Sequence, residues 1–283
     1  MRIFLSKFKS SQFDYVIWLL IFLMYAPALK YLYEMRWKNI DYSHAYFIFP
    51  VALAMMWCQR ATLLETSRRH QPASGDAIGL AAAVIGLGMF TFGWRHDFYM
   101  ITALSMIPVF WGAVRFLYGH ETARAASGSI LYLLFLVPPP LGLLDQLTLP
   151  MRYGVSAAAE VILKACHYPV LKKGLLISIG GHELFMASPC SGFRSLVTVL
   201  ALTVAYVTFS GVRGVRKMVL VLSSIPLALL GNLLRVIGLC LVTFYAGLEA
   251  AEGPFHELSG IFIFIFVLVC LIGLEKLLDR DTK

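Results

Sequence analysis

Three side chains in the second half of the chain have the chemistry of a nucleophile, a fixed cation and a proton carrier. Cys190 sits in Ser188-Pro-Cys-Ser-Gly-Phe-Arg194, Arg235 in Gly231-Asn-Leu-Leu-Arg235, and His256 in Gly253-Pro-Phe-His-Glu-Leu-Ser-Gly260. A thiol at a helix N-terminus near a cation has its pKa depressed and becomes a better nucleophile. Arg194, in the same turn, or Arg235 can supply that cation. Histidine titrates near neutral pH and can exchange protons with a thiol and a leaving group. Arginine stays charged and can hold a developing oxyanion or a carboxylate. Each residue also has a plainer reading. A free cysteine is often a small buried hydrophobe, which is how Cys58, Cys240 and Cys270 are read. An arginine near an interface can snorkel to phosphates, and a histidine before a helix can simply cap it.

The elements that must position these groups are membrane spans. The 283 residues are 59% hydrophobic and 14% charged, against roughly 45–50% and about 25% in soluble domains. A span needs roughly 20 apolar residues, and eight stretches qualify: 13–32, 44–58, 76–94, 98–118, 128–147, 195–210, 217–247 and 257–278. The expected fold is therefore an all-α polytopic membrane protein with about eight transmembrane helices, residues 1–283 forming one integral membrane domain. Pro138, Pro139 and Pro140 should break or bend the fifth span, because each removes a backbone donor. The seventh is too long for one straight crossing, so it tilts or protrudes. The basic N-terminus precedes an apolar run with no small-residue cleavage site, the pattern of an uncleaved first span. The net charge of +8 comes without a basic, aromatic-interleaved face, which excludes nucleic acid as the expected partner. The five cysteines lack paired spacing, which argues against a disulfide framework or zinc ribbon.

Orientation follows from Lys and Arg. With both termini inside, fourteen of the 24 fall on inner segments, nine on outer ones, and Arg235 within a span. The bias favours this topology. Residues 211–217 are basic, whereas 248–257 carry Glu249, Glu252 and Glu257 with no Lys or Arg. The segment 148–194, between spans five and six, is then an outer-face segment leading to Cys190. Gln146 to His167 reads as an amphipathic surface helix, and the stretch around Gly180-Gly181 as a small hairpin. From Lys217 to Arg235 is 18 residues, about 27 Å of helix, nearly the ~30 Å core. Cys190, Arg235 and His256 all fall near the outer interface.

Pro-Cys-Ser-Gly-Phe-Arg-Ser-Leu at 189–196, Asn232-x-x-Arg235 and His256-x-x-x-Gly260 follow one another on consecutive outer ends. The set resembles the exosortase/archaeosortase family of membrane cysteine transpeptidases, whose hallmark is Cys-Ser-Gly-x-Arg, then Asn-x-x-Arg, then His. Asp41-Tyr-Ser-His44 looks like the family's early Ser-His element. Pro189 stands where Ala is common and Ala45 where Gly is common; neither touches a reactive group. The resemblance implies cleavage of secreted proteins that carry a C-terminal Pro-Glu-Pro-like motif, an apolar helix and a basic end. It implies a Cys190 thioester, with Arg235 stabilising the oxyanion or anchoring a carboxylate and His256 shuttling the proton. Arg194, His44 and Asn232 are the implied substrate-binding residues. The acceptor would be an envelope lipid or polysaccharide, no cofactor or metal is called for, and the enzyme would sit in the inner or plasma membrane with its site at the outer face.

Two other readings compete. A transporter or polysaccharide-export component would use Arg235 as a binding-site charge, but it is the one clear mid-span charge and offers no relay. An outer-face metal site would draw on His44, His96, His167, His182 and His256, none of which are paired at ligand spacing such as H-x-x-x-H.

Overall fold

The computed structural model describes residues 12–37, 45–69, 76–137, 141–185, 193–212 and 214–280. It divides into two compact units, 1–139 and 140–283.

In the first unit, α1 (Gln12–Leu32) runs into a π-helical turn at Tyr33–Trp37, followed by α2 (Ala45–Cys58) and α3 (Arg60–Arg69). The unit continues with α4 (Ala77–Arg95), α5 (Tyr99–Leu104), α6 (Met106–Tyr118), α7 (His120–Tyr132) and a 3₁₀ turn at Leu133–Leu136. α4 and α6 touch backbone to backbone because glycines line the seam. A Cβ on Gly112 would lie 2.5 Å from Ala83 N, and one on Gly86 would lie 2.8 Å from Val109 N. Small residues permit such close approach where lipid offers no hydrophobic drive between helices. Asp76 caps α4 through the Ile78 and Gly79 amides and accepts a 2.8 Å bond from Arg115 Nε on α6.

The second unit begins with α8 (Leu141–Ala165) and a three-stranded antiparallel sheet, β1 (Val170–Lys173), β2 (Leu176–Ile179) and β3 (His182–Phe185). It ends with α9 (Phe193–Phe209), α10 (Gly214–Ala246), α11 (Leu248–Glu252) and α12 (Pro254–Arg280). The expected hairpin is β2–β3, with Ile179 opposite His182. Gly180 and Gly181 have φ of 59° and 84°, the two positive values that a two-residue type I′ turn demands. The first strand, which the sequence reading did not resolve, joins β2 through Gly174 at φ 64°.

Among the described residues, five helical stretches are long and apolar enough to cross a membrane: Phe13–Leu32, Ala77–Arg95, Tyr99–Tyr118, Gly214–Ala246 and Leu258–Asp279. A sixth span results if the pair Ala45–Cys58 and Arg60–Arg68, bent by 60°, counts as one. The chain is thus a helical, multi-pass membrane protein. Of the eight stretches expected, 195–210 forms a shorter apolar helix, Ser195–Phe209, and 128–147 is divided. α7 ends at Tyr132, and Val137, ahead of the three prolines, adopts φ −74° and ψ 113°, the extended geometry a following proline imposes. The helix that resumes at Leu141 continues for 25 residues, through much of the stretch expected to be a surface helix.

Candidate active site

The site is built on α9, α10 and α12, which pack against one another around Val199, Val207, Leu220, Ala228, Ile263, Val267 and Leu271. α10 and α12 run antiparallel. Arg216 pairs with Asp279, a Cβ on Gly231 would lie 3.0 Å from Ile263 Cγ2, and Arg235 bonds Ser259. At the same end as Arg216, Tyr206 of α9 donates to Glu275 of α12.

Counting from that Tyr206–Glu275 pair at about 1.5 Å per residue locates the opposite end of the bundle. Arg194, the second residue of α9, is about 18 Å along; Ser259 is about 24 Å, and His256, the third residue of α12, about 28 Å. Arg194, Arg235 and His256 therefore belong to one end of the bundle, within about two helical turns of each other along its axis. Cys190 and His44 lie outside the described residues. The seven-residue connection 186–192 that holds Cys190 begins at β3 and ends at α9, and both of those elements pack on α10.

Arg235 is 9% exposed and Asn232, one turn before it on α10, is 0% exposed. The Arg235 Nε–H donates to Ser259 Oγ at 2.9 Å, and Ser259 is itself buried. The level of this pair is a boundary. On one side lies the three-helix core already described. On the other, Val236, Leu239 and Cys240 of α10 form a second core with Ala159 and Leu163 of α8, Ala251, and Val170, Ile177, Ile179 and Leu184 of the sheet. Phe244 seats the hairpin turn there, 2.8 Å from where a Gly180 Cβ would stand. A guanidinium held between two apolar cores acts in a low effective dielectric, where its field on a developing negative charge far exceeds its value in water. A buried cation in a fixed plane suits oxyanion stabilisation and carboxylate recognition equally.

The cysteines separate by setting. Cys240 is fully buried, as read from sequence. Cys58 is not a buried hydrophobe: it is exposed, because it ends α2 where the helix bends away, and Cys270 is only half-buried. Sequence reasoning missed Ser259. Its only signal was its place three residues after His256, a spacing that puts two positions on one side of a helix.

A model of the transmembrane exosortase family matches residues 37–273. No curated protein and no solved structure gives a match. The matched region takes in three of those five spanning helices whole and most of Leu258–Asp279, with the sheet, Cys190, Arg235 and His256. Over most of its length, then, the chain belongs to the transmembrane exosortase family, and a membrane-bound, transpeptidase-type role in protein sorting follows from that membership.

Proposed function

We propose that the protein is a membrane cysteine transpeptidase that removes C-terminal sorting tails from secreted proteins. The tail would carry a Pro-Glu-Pro-like motif, an apolar helix and a basic end. The observation that carries this reading is a buried arginine in an exosortase chain, tied by its Nε to the helix that bears His256.

In this reading the Cys190 thiolate attacks the backbone carbonyl at the cleavage point, and the carbonyl oxygen takes the negative charge. Arg235, in its apolar surroundings, stabilises that oxyanion. The C–N bond breaks as His256 donates its proton to the departing amine, leaving a thioester on Cys190 and releasing the tail. A hydroxyl or amine of an envelope lipid or polysaccharide then attacks the thioester. His256 takes the proton from that nucleophile, and Cys190 leaves as thiolate. Water in place of the acceptor gives hydrolysis with the same proton balance. Arg194 and Asn232, at the same end of the bundle, are the substrate-binding candidates in the second unit, with His44 as a further one. Both termini are cytoplasmic and the site faces outward across the inner or plasma membrane, a topology supported by the basic 211–217 turn and the acidic 248–257 segment.

The test is a tail-processing assay on the full-length protein co-expressed with a tail-bearing protein, with the new C-termini identified by mass. Cys190→Ala abolishes cleavage, and Cys190→Ser nearly does, because a hydroxyl stays protonated where a thiol of pKa ~8.5 can be shifted into range. His256→Ala loses roughly 10²–10⁴ in rate. Cys240→Ala and Cys270→Ala process normally. Full processing by Cys190→Ala at normal membrane levels removes the transpeptidase reading.

A further inference from the structure

Arg235 does not reach its position unassisted. Its Nε–H has one direction, and Ser259 Oγ accepts it at 2.9 Å from a helix that packs along α10. The torsion beside a planar group is broad rather than three-welled, so packing of the aliphatic stem alone leaves the guanidinium free to roll. A bond at Nε fixes that roll, and the plane then fixes the bearing of the two terminal nitrogens. The bond is buried at both ends, so water does not readily replace the serine oxygen. Ser259 also lies in the turn of α12 that follows His256, so its hydroxyl helps to register the cation of α10 against the start of α12.

We propose that Ser259 is a positioning residue for the reaction, one that acts through Arg235 by setting the plane of its guanidinium. The proposal rests on the transpeptidase reading above. A cation aimed at charge that appears only in the transition state contributes to kcat; a cation that anchors the ground-state substrate contributes to KM. A fixed plane matters most to the first of these. Loss of the Ser259 hydroxyl therefore lowers the maximal rate and leaves substrate affinity nearly intact.

The experiment uses the full-length protein in proteoliposomes and a synthetic peptide carrying a Pro-Glu-Pro segment, an apolar helix and a basic end. Rates are normalised to folded protein for wild type, Ser259→Ala, Ser259→Thr, Ser224→Ala and Cys190→Ala. Ser224 is the control for losing a buried hydroxyl: it is 1% exposed on α10 and donates locally to the Val221 carbonyl, far from the site end of the bundle. Ser259→Ala is expected to lose about 10- to 100-fold in kcat with KM within about threefold, the scale of misplacing one transition-state group. Ser259→Thr, which keeps the oxygen, recovers at least about tenfold of that loss. Ser224→Ala stays within about twofold of wild type. Wild-type kcat in Ser259→Ala overturns the proposal, as does a defect no larger than that of Ser224→Ala, or one confined to KM. If Ser259→Thr is too bulky to fold, the kcat/KM split in Ser259→Ala against the Ser224→Ala control decides alone. Cleavage by Cys190→Ala, or no cleavage by wild type, sinks the enzyme reading itself. An inactive Cys190→Ala beside a fully active Ser259→Ala sinks only the role of Ser259.

Discussion

Replacing Arg235 with methionine should separate stability from function. A charged side chain within a span costs roughly 2.5–3.5 kcal/mol relative to an apolar environment's preference, and Arg235→Met removes that cost. The change also removes the Nε–Ser259 bond, 2.9 Å long and buried, a charge-assisted contact of about 1.5–3 kcal/mol. The unbranched thioether follows most of the arginine stem, so packing against the two flanking cores changes little. The difference lies between about −0.5 and +2 kcal/mol in favour of the variant. At about 2–4 °C per kcal/mol for a chain of this class, Tm should move between roughly −2 and +8 °C. Processing should fall by at least about 10²–10³, the share of one oxyanion donor. The assay is thermal unfolding of purified protein followed by intrinsic fluorescence, beside tail processing in membranes. A Tm drop beyond about 8 °C would make Arg235 a structural tie first and a chemical group second. Retained processing would remove it from the chemistry.

Other outcomes follow from the second unit. Gly180→Ala and Gly181→Ala both force a side chain into positive φ, at about 1–2 kcal/mol each. Only Gly180→Ala also drives a Cβ to 2.8 Å from the Phe244 ring, so hydrogen exchange at Ile177 and Ile179 should quicken more in that variant; equal effects would mean that the hairpin is not seated on α10. Glu160 accepts from Lys164 Nζ at 2.8 Å and from the Lys172 amide at 3.3 Å. The Lys164 bond, against partial burial and with help from the Lys164 charge and the Lys172 amide, holds its carboxyl below the usual carboxylate range. A folded-state value below the unfolded one stabilises above the unfolded pKa and fades as pH falls through the folded one. Acid should therefore loosen the α8–β1 joint, read as proteolysis after Lys172 and Lys173, and Glu160→Gln should show that looseness at neutral pH with no acid step.

The parts of the fold legible in the sequence were those governed by local rules. Apolar length located the five long spans, and Gly180-Gly181 announced the hairpin because two adjacent positive-φ residues have few other uses. The prolines at 138–140 announced a break, but not that the chain would resume at Leu141 as a 25-residue helix. The bend after Cys58 had no such mark: 44–58 read as one short span, and the polar ten-residue helix after it, Arg60–Arg69, was not anticipated. The α4–α6 seam was also hidden. Gly79, Gly86 and Gly93 recur every seven residues, but a spacing of small residues shows which helix can be approached closely, not by which neighbour.

The same distinction explains why one end of the bundle was foreseen and Ser259 was not. Distance along a helix can be counted from sequence with little loss: an error of one residue in a boundary moves a side chain by about 1.5 Å. That tolerance suffices to bring Arg194, Arg235 and His256 to a common level from turn positions alone. Rotation about the axis has no such tolerance, since the same one-residue error turns a side chain by about 100°. Azimuth is set by what packs where. Gly231 lets α12 close to within a methyl's reach at Ile263, and Ala228 continues the same contact one turn earlier. Arg235 follows Gly231 by one turn on that side, so the packing that buries the small residues also delivers the arginine to Ser259. The small residues at 228 and 231 are thus part of the site's construction, since the approach they permit is what turns a costly buried charge toward its acceptor.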